Sequence, residues 1–397
     1  MGIRIVLTGP NMQSSNLDAP IPLGLYVHLP WCVRKCPYCD FNSHQAPEQL
    51  NYSVYIEALL RDLEFEQPLA RGRVLQSVFI GGGTPSLFPP EQVRRLMDGI
   101  TGNYSCAPDM EVTLEANPGT LESGRYVGYR EAGVNRLSIG VQSFDADALG
   151  WLGRIHGPGE AADAVLSAKE AGFDNINLDL MFGLPGQTLS GAMTDVERVT
   201  SLEPAHISYY QLTLEPNTPF YNSPPKLPTD DSVWEIQQQG HALLAASGYR
   251  RYEVSAFARQ GRECRHNLNY WRFGDYIGIG AGAHGKLSDS DATRVVRRWR
   301  LRGPGDYQRT AGSQEALAGE RVLVEPDLKL EFMMNALRLQ HGFSGELFRG
   351  RTGLSLSAVE SRIREGVEKG LIENRGTAIA ATPLGYRFLD DLVGLFV

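Results

Sequence analysis

The sequence predicts an α/β protein, a partial (β/α)6 barrel followed by a small C-terminal winged-helix-like α+β domain. Three observations carry this prediction. From Gly24 onward, strand-like and helix-like segments alternate, which is the pattern of a parallel sheet wrapped by helices. Six such units are present, short of the eight of a closed barrel. Past residue 325 the alternation gives way to helices and two short strand-like runs, 370–372 and 377–381. A length of 397 residues leaves room for more than one domain, and 42% apolar with 21% charged residues is ordinary for a globular chain.

Taken in order, residues 1–20 read as an N-terminal tail, because their only apolar run, Ile3 to Leu7, is too short for a signal peptide. The barrel is expected over 21–230. Its strands are expected at 25–29, 74–81, 111–115, 136–141, 175–182 and 206–214, rich in Val, Ile, Leu, Phe and Tyr as strands covered on both faces should be. Helices are expected at 52–66, 91–100, 122–132, 160–171 and 191–202, with Pro89 and Pro90 as a start signal and Gly133 and Gly172 as stops. An extension follows over 231–324, and the winged-helix-like domain over 325–397.

The net charge of −8 argues against a nucleic-acid partner. The C-terminal residues 351–397 carry six basic and six acidic groups, which leaves no positive footprint for DNA. No apolar stretch is long enough to span a bilayer, so any membrane contact is expected to be peripheral. Five cysteines are an odd count for a disulfide framework, and Cys106 and Cys264 read as small buried hydrophobes.

The other three, Cys32, Cys36 and Cys39, form a C-x3-C-x2-C array just after the first strand. Three thiolates so spaced suit a 4Fe–4S cluster with one iron left open. Zinc, with His28 or His44 as a fourth ligand, remains the alternative at this spacing. An oxygen-sensitive cluster fits a reducing cytoplasm.

Further polar residues gather where strands end, which is where such folds do their chemistry. Gly81-Gly82-Gly83-Thr84-Pro85 closes the second strand, Glu115-Ala116-Asn117-Pro118 the third, and Gly140-Val141-Gln142-Ser143-Phe144 the fourth. Asp179 sits in an apolar fifth strand, where its charge needs a partner, either a ligand hydroxyl or a buried arginine.

The cysteine array, with Tyr38 before its last cysteine, resembles the signature of the radical S-adenosylmethionine (SAM) superfamily. YVHLPWC, GGGTP, EANP, GVQSF and DLMFGLPGQT then follow in the order seen in its oxygen-independent coproporphyrinogen III oxidase-like family. That resemblance implies a radical SAM barrel, a 4Fe–4S cluster on Cys32, Cys36 and Cys39, and SAM at the open iron. It also implies SAM contacts by Tyr26, Gly82, Gly83, Thr84, Glu115, Gln142, Arg154 and Asp179. The oxidases of the family carry another cysteine two residues past the third, where this chain has Phe41.

A second stretch, His266-Asn267-Leu268-Asn269-Tyr270-Trp271, resembles the HNxxYW marker of the HemW-type heme-chaperone branch. The implied function is a chaperone that binds heme and transfers it to an acceptor protein. Coproporphyrinogen III dehydrogenation is the alternative. His266 can ligate heme iron, and Tyr270 and Trp271 offer flat apolar surface to the macrocycle, with His284 and His206 as reserve ligands. Gly278 to Gly285 reads as a sharp glycine-rich bend. Five arginines between Arg294 and Arg302 read as a strand with one solvated face, or else as carboxylate recognition.

Overall fold

The computed structural model describes residues 21–119, 124–289 and 292–397. The expected tail and the first residues of the helix expected at 122–132 lie outside the described residues. All six expected strands form: β1 (Leu23–Leu29), β4 (Leu75–Gly82), β5 (Cys106–Ala116), β6 (Arg136–Gln142), β7 (Ile176–Phe182) and β8 (His206–Gln211). They pair in parallel in that order. Between β1 and β4 the cysteine loop is pinned by two short paired strands, β2 (Trp31–Cys32) and β3 (His44–Gln45).

Helices return the chain between the strands, and local chemistry starts them. Asn51 caps the helix Tyr52–Glu66, Asp145 caps Ala146–Trp151, and Thr188 caps Leu189–Ser201. Pro90 opens Pro90–Asn103. Their apolar faces bury Leu59, Leu63, Leu96, Ile100, Val165 and Val196 against the outer face of the sheet in one continuous core.

The sheet runs further than the sequence suggested. β11 (Asp275–Ile279) adds in parallel to the free edge of β1, and β12 (His284–Ser288), β13 (Val295–Arg300) and β14 (Leu317–Val322) follow antiparallel. On the other side β9 (Arg250–Arg251) and β10 (Ala256–Ala258) cap β8. The result is a single open sheet of twelve strands edged by β14 and β9. The glycine-rich stretch is the β11–β12 connection.

The arginine-rich segment is a strand, as expected, but three of its charges, Arg297, Arg298 and Arg300, are not on a solvated face. Arg300 is 2% exposed and bonds Asp62 through Nε (2.9 Å) and Nη2 (2.6 Å), with Glu66 2.8 Å from Nη2. Arg298 reaches Glu66 at 3.2 Å, and Arg297 bonds Glu331 through Nε at 2.8 Å. These acids sit on helices packed over the strand, so Arg297, Arg298 and Arg300 are counter-ions to them rather than free carboxylate receptors.

The C-terminal region packs around Phe332, Phe343, Phe348, Ile372 and Leu392 in a second apolar core that also takes in Phe273 and Val295 of the extension. Its three-stranded antiparallel sheet has the order β15 (Phe343–Ser344), β17 (Ala378–Ala381), β16 (Ile372–Arg375), with helix Glu360–Glu368 before β16. This is the small α+β arrangement the two strand-like runs implied.

Candidate cofactor site

The parallel register decides which side chains share the inner face of the barrel. Tyr26, Phe79, Thr113 and Arg136 fall in one row across β1, β4, β5 and β6. Glu115, Ser138, Asn177 and His206 fall in the next. Asp179 pairs with Ser208 above them.

At the C-terminal end of β1, the three cysteines lie on one loop, all with free thiols. Burial raises the Cys32 and Cys39 thiols, and the neighbouring cysteines raise both further. That mutual repulsion is what a bound cation cluster relieves. Cys36 Sγ lies 3.8 Å from Arg154 Nη1. Among the described residues no three His, Cys, Asp or Glu side chains converge on a single-ion site. A cluster asks less, since each thiolate meets a different iron. His28 has no nitrogen to spare for zinc: Nδ1 pairs with the Tyr26 hydroxyl at 2.8 Å and Nε2 with Asn42 O at 2.9 Å.

The GGGTP loop locks onto this end rather than lying open. Gly83 N–H donates to Leu29 O and Thr84 N–H to Trp31 O. A Cβ at Gly82 would sit 2.6 Å from the His28 ring, and one at Gly83 2.5 Å from Trp31 O. The glycines are therefore required for close loop packing, and Gly82 N–H is already spent on Glu115 Oε2 at 3.0 Å.

Glu115 and Asp179 lie near enough for their charges to repel. Burial, and then repulsion from Asp179, pushes the Glu115 carboxyl up to about 7. Burial also raises Asp179, opposed by hydrogen bonds from Asn177 and Ser208. The partner of Asp179 is thus an amide and a hydroxyl, with Arg136 acting only through its charge. Both carboxylates keep some accessible surface, as groups lining a cavity do. A ligand carrying positive charge would offset their repulsion, and the ammonium and sulfonium of SAM are such charges. Opposite them, Arg154 Nη2 bonds Asn117 Oδ1 (2.6 Å) and Gly140 O (2.7 Å), which aims a cation at the same space. Gln142, held at φ 70, accepts from the Tyr210 hydroxyl at 2.7 Å. Asn117 and Tyr210 were not singled out from the sequence. Asn117 lay inside the EANP motif, but nothing local marked Tyr210.

The HNxxYW segment is a short helix, Arg265–Trp271, at the N-terminal ends of the strands, opposite the cysteines. With β1 seven residues long, roughly 20 Å separates the two ends. His266 is 1% exposed. Its Nδ1 pairs with Ser77 Oγ and its Nε2 with the Tyr270 hydroxyl, each at 2.9 Å. Burial, then Arg136, lowers its pKa to about 3. The neutral ring thus has no free nitrogen for iron. Trp271 is covered by Arg338, whose guanidinium carbon is 4.3 Å from the ring centroid. Of the reserve ligands, His206 is also spent, on Asn177 and Tyr252, while His284 is exposed and stacked on Trp299. Cys264 is buried, but beside Glu111 (3.5 Å) rather than among apolar groups, and burial lifts its thiol to about 12.

The open parallel sheet and the cysteine loop at its strand ends define a radical SAM protein. The family model of the Radical SAM superfamily matches residues 26–199, and that of the HemN C-terminal domain matches 324–388. Membership of the superfamily implies a 4Fe–4S cluster and SAM. The solved coproporphyrinogen III oxidase (HemN) of Escherichia coli, a radical SAM enzyme, shares the fold with a TM-score of 0.80. It is 24% identical, over 95% of this chain and 90% of its own. The heme chaperone HemW of E. coli K12 is 46% identical over 95% of this chain and 98% of its own length, and that of Haemophilus influenzae is equally similar. HemW of Bacillus subtilis is 36% identical over 94% of this chain and 98% of its own. The chain belongs to the HemW heme-chaperone family. No helix among the described residues is long and apolar enough to cross a membrane.

Proposed function

We propose that this chain is a cytoplasmic heme chaperone that takes up heme and hands it to an acceptor protein. The observation that carries the proposal is its 46% identity, over 95% of its length, to proteins named heme chaperone HemW. Phe41 supports it, since the oxidases of the wider family carry a cysteine there. In this reading Cys32, Cys36 and Cys39 ligate the cluster. Tyr26, Gly82, Gly83, Thr84, Glu115, Gln142, Arg154 and Asp179 form the SAM site, with Arg154 toward the SAM carboxylate and the two acids toward its positive charge. Held by these cysteines, a cluster would supply an open iron to the amino-acid end of SAM. For His266 to take heme iron, its bond to Ser77 or Tyr270 would have to break and the helix Arg265–Trp271 withdraw from β4, exposing Tyr270 and Trp271.

The test offers heme and coproporphyrinogen III separately to protein purified without oxygen. Saturable heme binding with no stoichiometric protoporphyrinogen is expected. Efficient decarboxylation would transfer the chain to the oxidase reading. His266→Ala is expected to keep the wild-type Soret band while lowering stability; a shifted Soret band would show that the helix does withdraw and ligate.

A further inference from the structure

The cysteine loop presents an apolar ring to solvent on an otherwise fastened backbone. Phe41 is 59% exposed. Its carbonyl accepts from Lys35 Nζ at 3.2 Å and from Ser43 N at 2.6 Å. The next residue, Asn42, donates through Nδ2 to Ala281 O (2.9 Å) and Arg302 O (3.0 Å), and His44 N bonds Pro30 O. A loop held at so many points holds Phe41 out at no further cost in backbone entropy. Burying that ring is what water favours.

Beside it lies a cavity of about 430 Å³, bounded by Lys35, Cys39, Phe41, His44, Asn217 and Arg302. Its wall combines an aromatic face with cations. Arg297, Arg298 and Arg300 are each matched to a carboxylate. Arg302, just past the end of β13, is exposed and has no acidic partner among the described residues. Lys35 spends its hydrogens on carbonyls, which leaves its charge uncancelled. Asp40 is the one acid of the wall. The fields of both cations reach His44, where they add to burial in holding the imidazole neutral.

We propose that this groove beside the cluster loop holds heme, with Phe41 against the macrocycle and Arg302 and Lys35 on its propionate carboxylates. A flat apolar ring edged by two carboxylates matches an exposed aromatic edged by uncompensated cations. The inference rests on the chaperone reading, and it locates the cargo at the cluster end of the barrel rather than at the buried HNxxYW helix.

The test titrates heme and heme dimethyl ester, followed by visible absorbance and tryptophan quenching, into full-length protein carrying its cluster. Parent, Phe41→Ala and Arg302→Gln are compared, with iron and sulfide content checked in each. Phe41→Ala should weaken heme binding about tenfold. Arg302→Gln should weaken it roughly ten- to hundredfold, the range for a lost charged hydrogen bond. The ester should bind the parent less tightly and be indifferent to Arg302→Gln. Phe41 is near Cys39, so if Phe41→Ala loses its cluster the Arg302→Gln pair decides. Parent-like heme affinity in Arg302→Gln, or equal weakening of acid and ester, overturns the site; in the first case an acidic protein partner would be the occupant left for the groove. If the parent shows no saturable heme binding, the chaperone reading itself fails.

Discussion

Replacing Glu115 with Gln separates what the hollow costs the empty protein from what it gives the bound one. Its carboxyl is raised from 4.5 to about 7. The folded state therefore holds this proton more tightly than the unfolded chain does. On this account stability is greatest below about 4.5 and is lost as pH rises through about 7. At about 1.4 kcal/mol per pKa unit, full ionisation costs roughly 3 kcal/mol. Glu115→Gln removes that cost, and its amide oxygen can still accept from Gly82 N. The variant should match the parent near pH 5 and exceed it by up to roughly 3 kcal/mol at pH 8. Urea unfolding of SAM-free protein at the two pH values measures this. With saturating SAM added the gap at pH 8 should narrow or close. Losing the charged partner should weaken SAM by about 1.5–3 kcal/mol, read by calorimetry. A variant no more stable than the parent at pH 8, or one with unchanged SAM affinity, would refute a repelling carboxylate pair awaiting a cation.

Two further outcomes are expected. Serine at Cys32, Cys36 or Cys39 should abolish the four irons and four sulfides expected per chain, while Cys106→Ser should keep them; stoichiometric zinc without labile sulfide would sink the cluster assignment. Arg300→Met strands buried Asp62 and leaves buried Glu66 only Arg298 as counter-ion, and should cost about 3–5 kcal/mol. Partial recovery is expected in Arg300→Met/Asp62→Asn, and an unaltered melting temperature in the single variant would show the network to be dispensable.

The sequence by itself determined the six parallel strands, their helices and the cysteine loop. These are local matters: apolar runs flanked by turn residues, caps at Asn51 and Thr188, and three thiols confined to eight residues of chain. The strand-end motifs were legible for the same reason, since a residue that closes a parallel strand must lie at the functional end. What the tertiary structure alone decided depends on partners far away in the chain. β11 lies next to β1 only because residues about 250 positions apart pair, and no short-range pattern encodes such a pairing. Arg300 reads as solvent-facing until Asp62, 238 positions away, is brought beneath it. His266 reads as an available ligand until Ser77 and Tyr270 take both its nitrogens. Asp179 stands out in the sequence as an acid in an apolar strand, but that Glu115 is the charge set against it comes only from the folded sheet. A side chain's type is written in the chain, but its charge state and availability come from neighbours that only folding supplies.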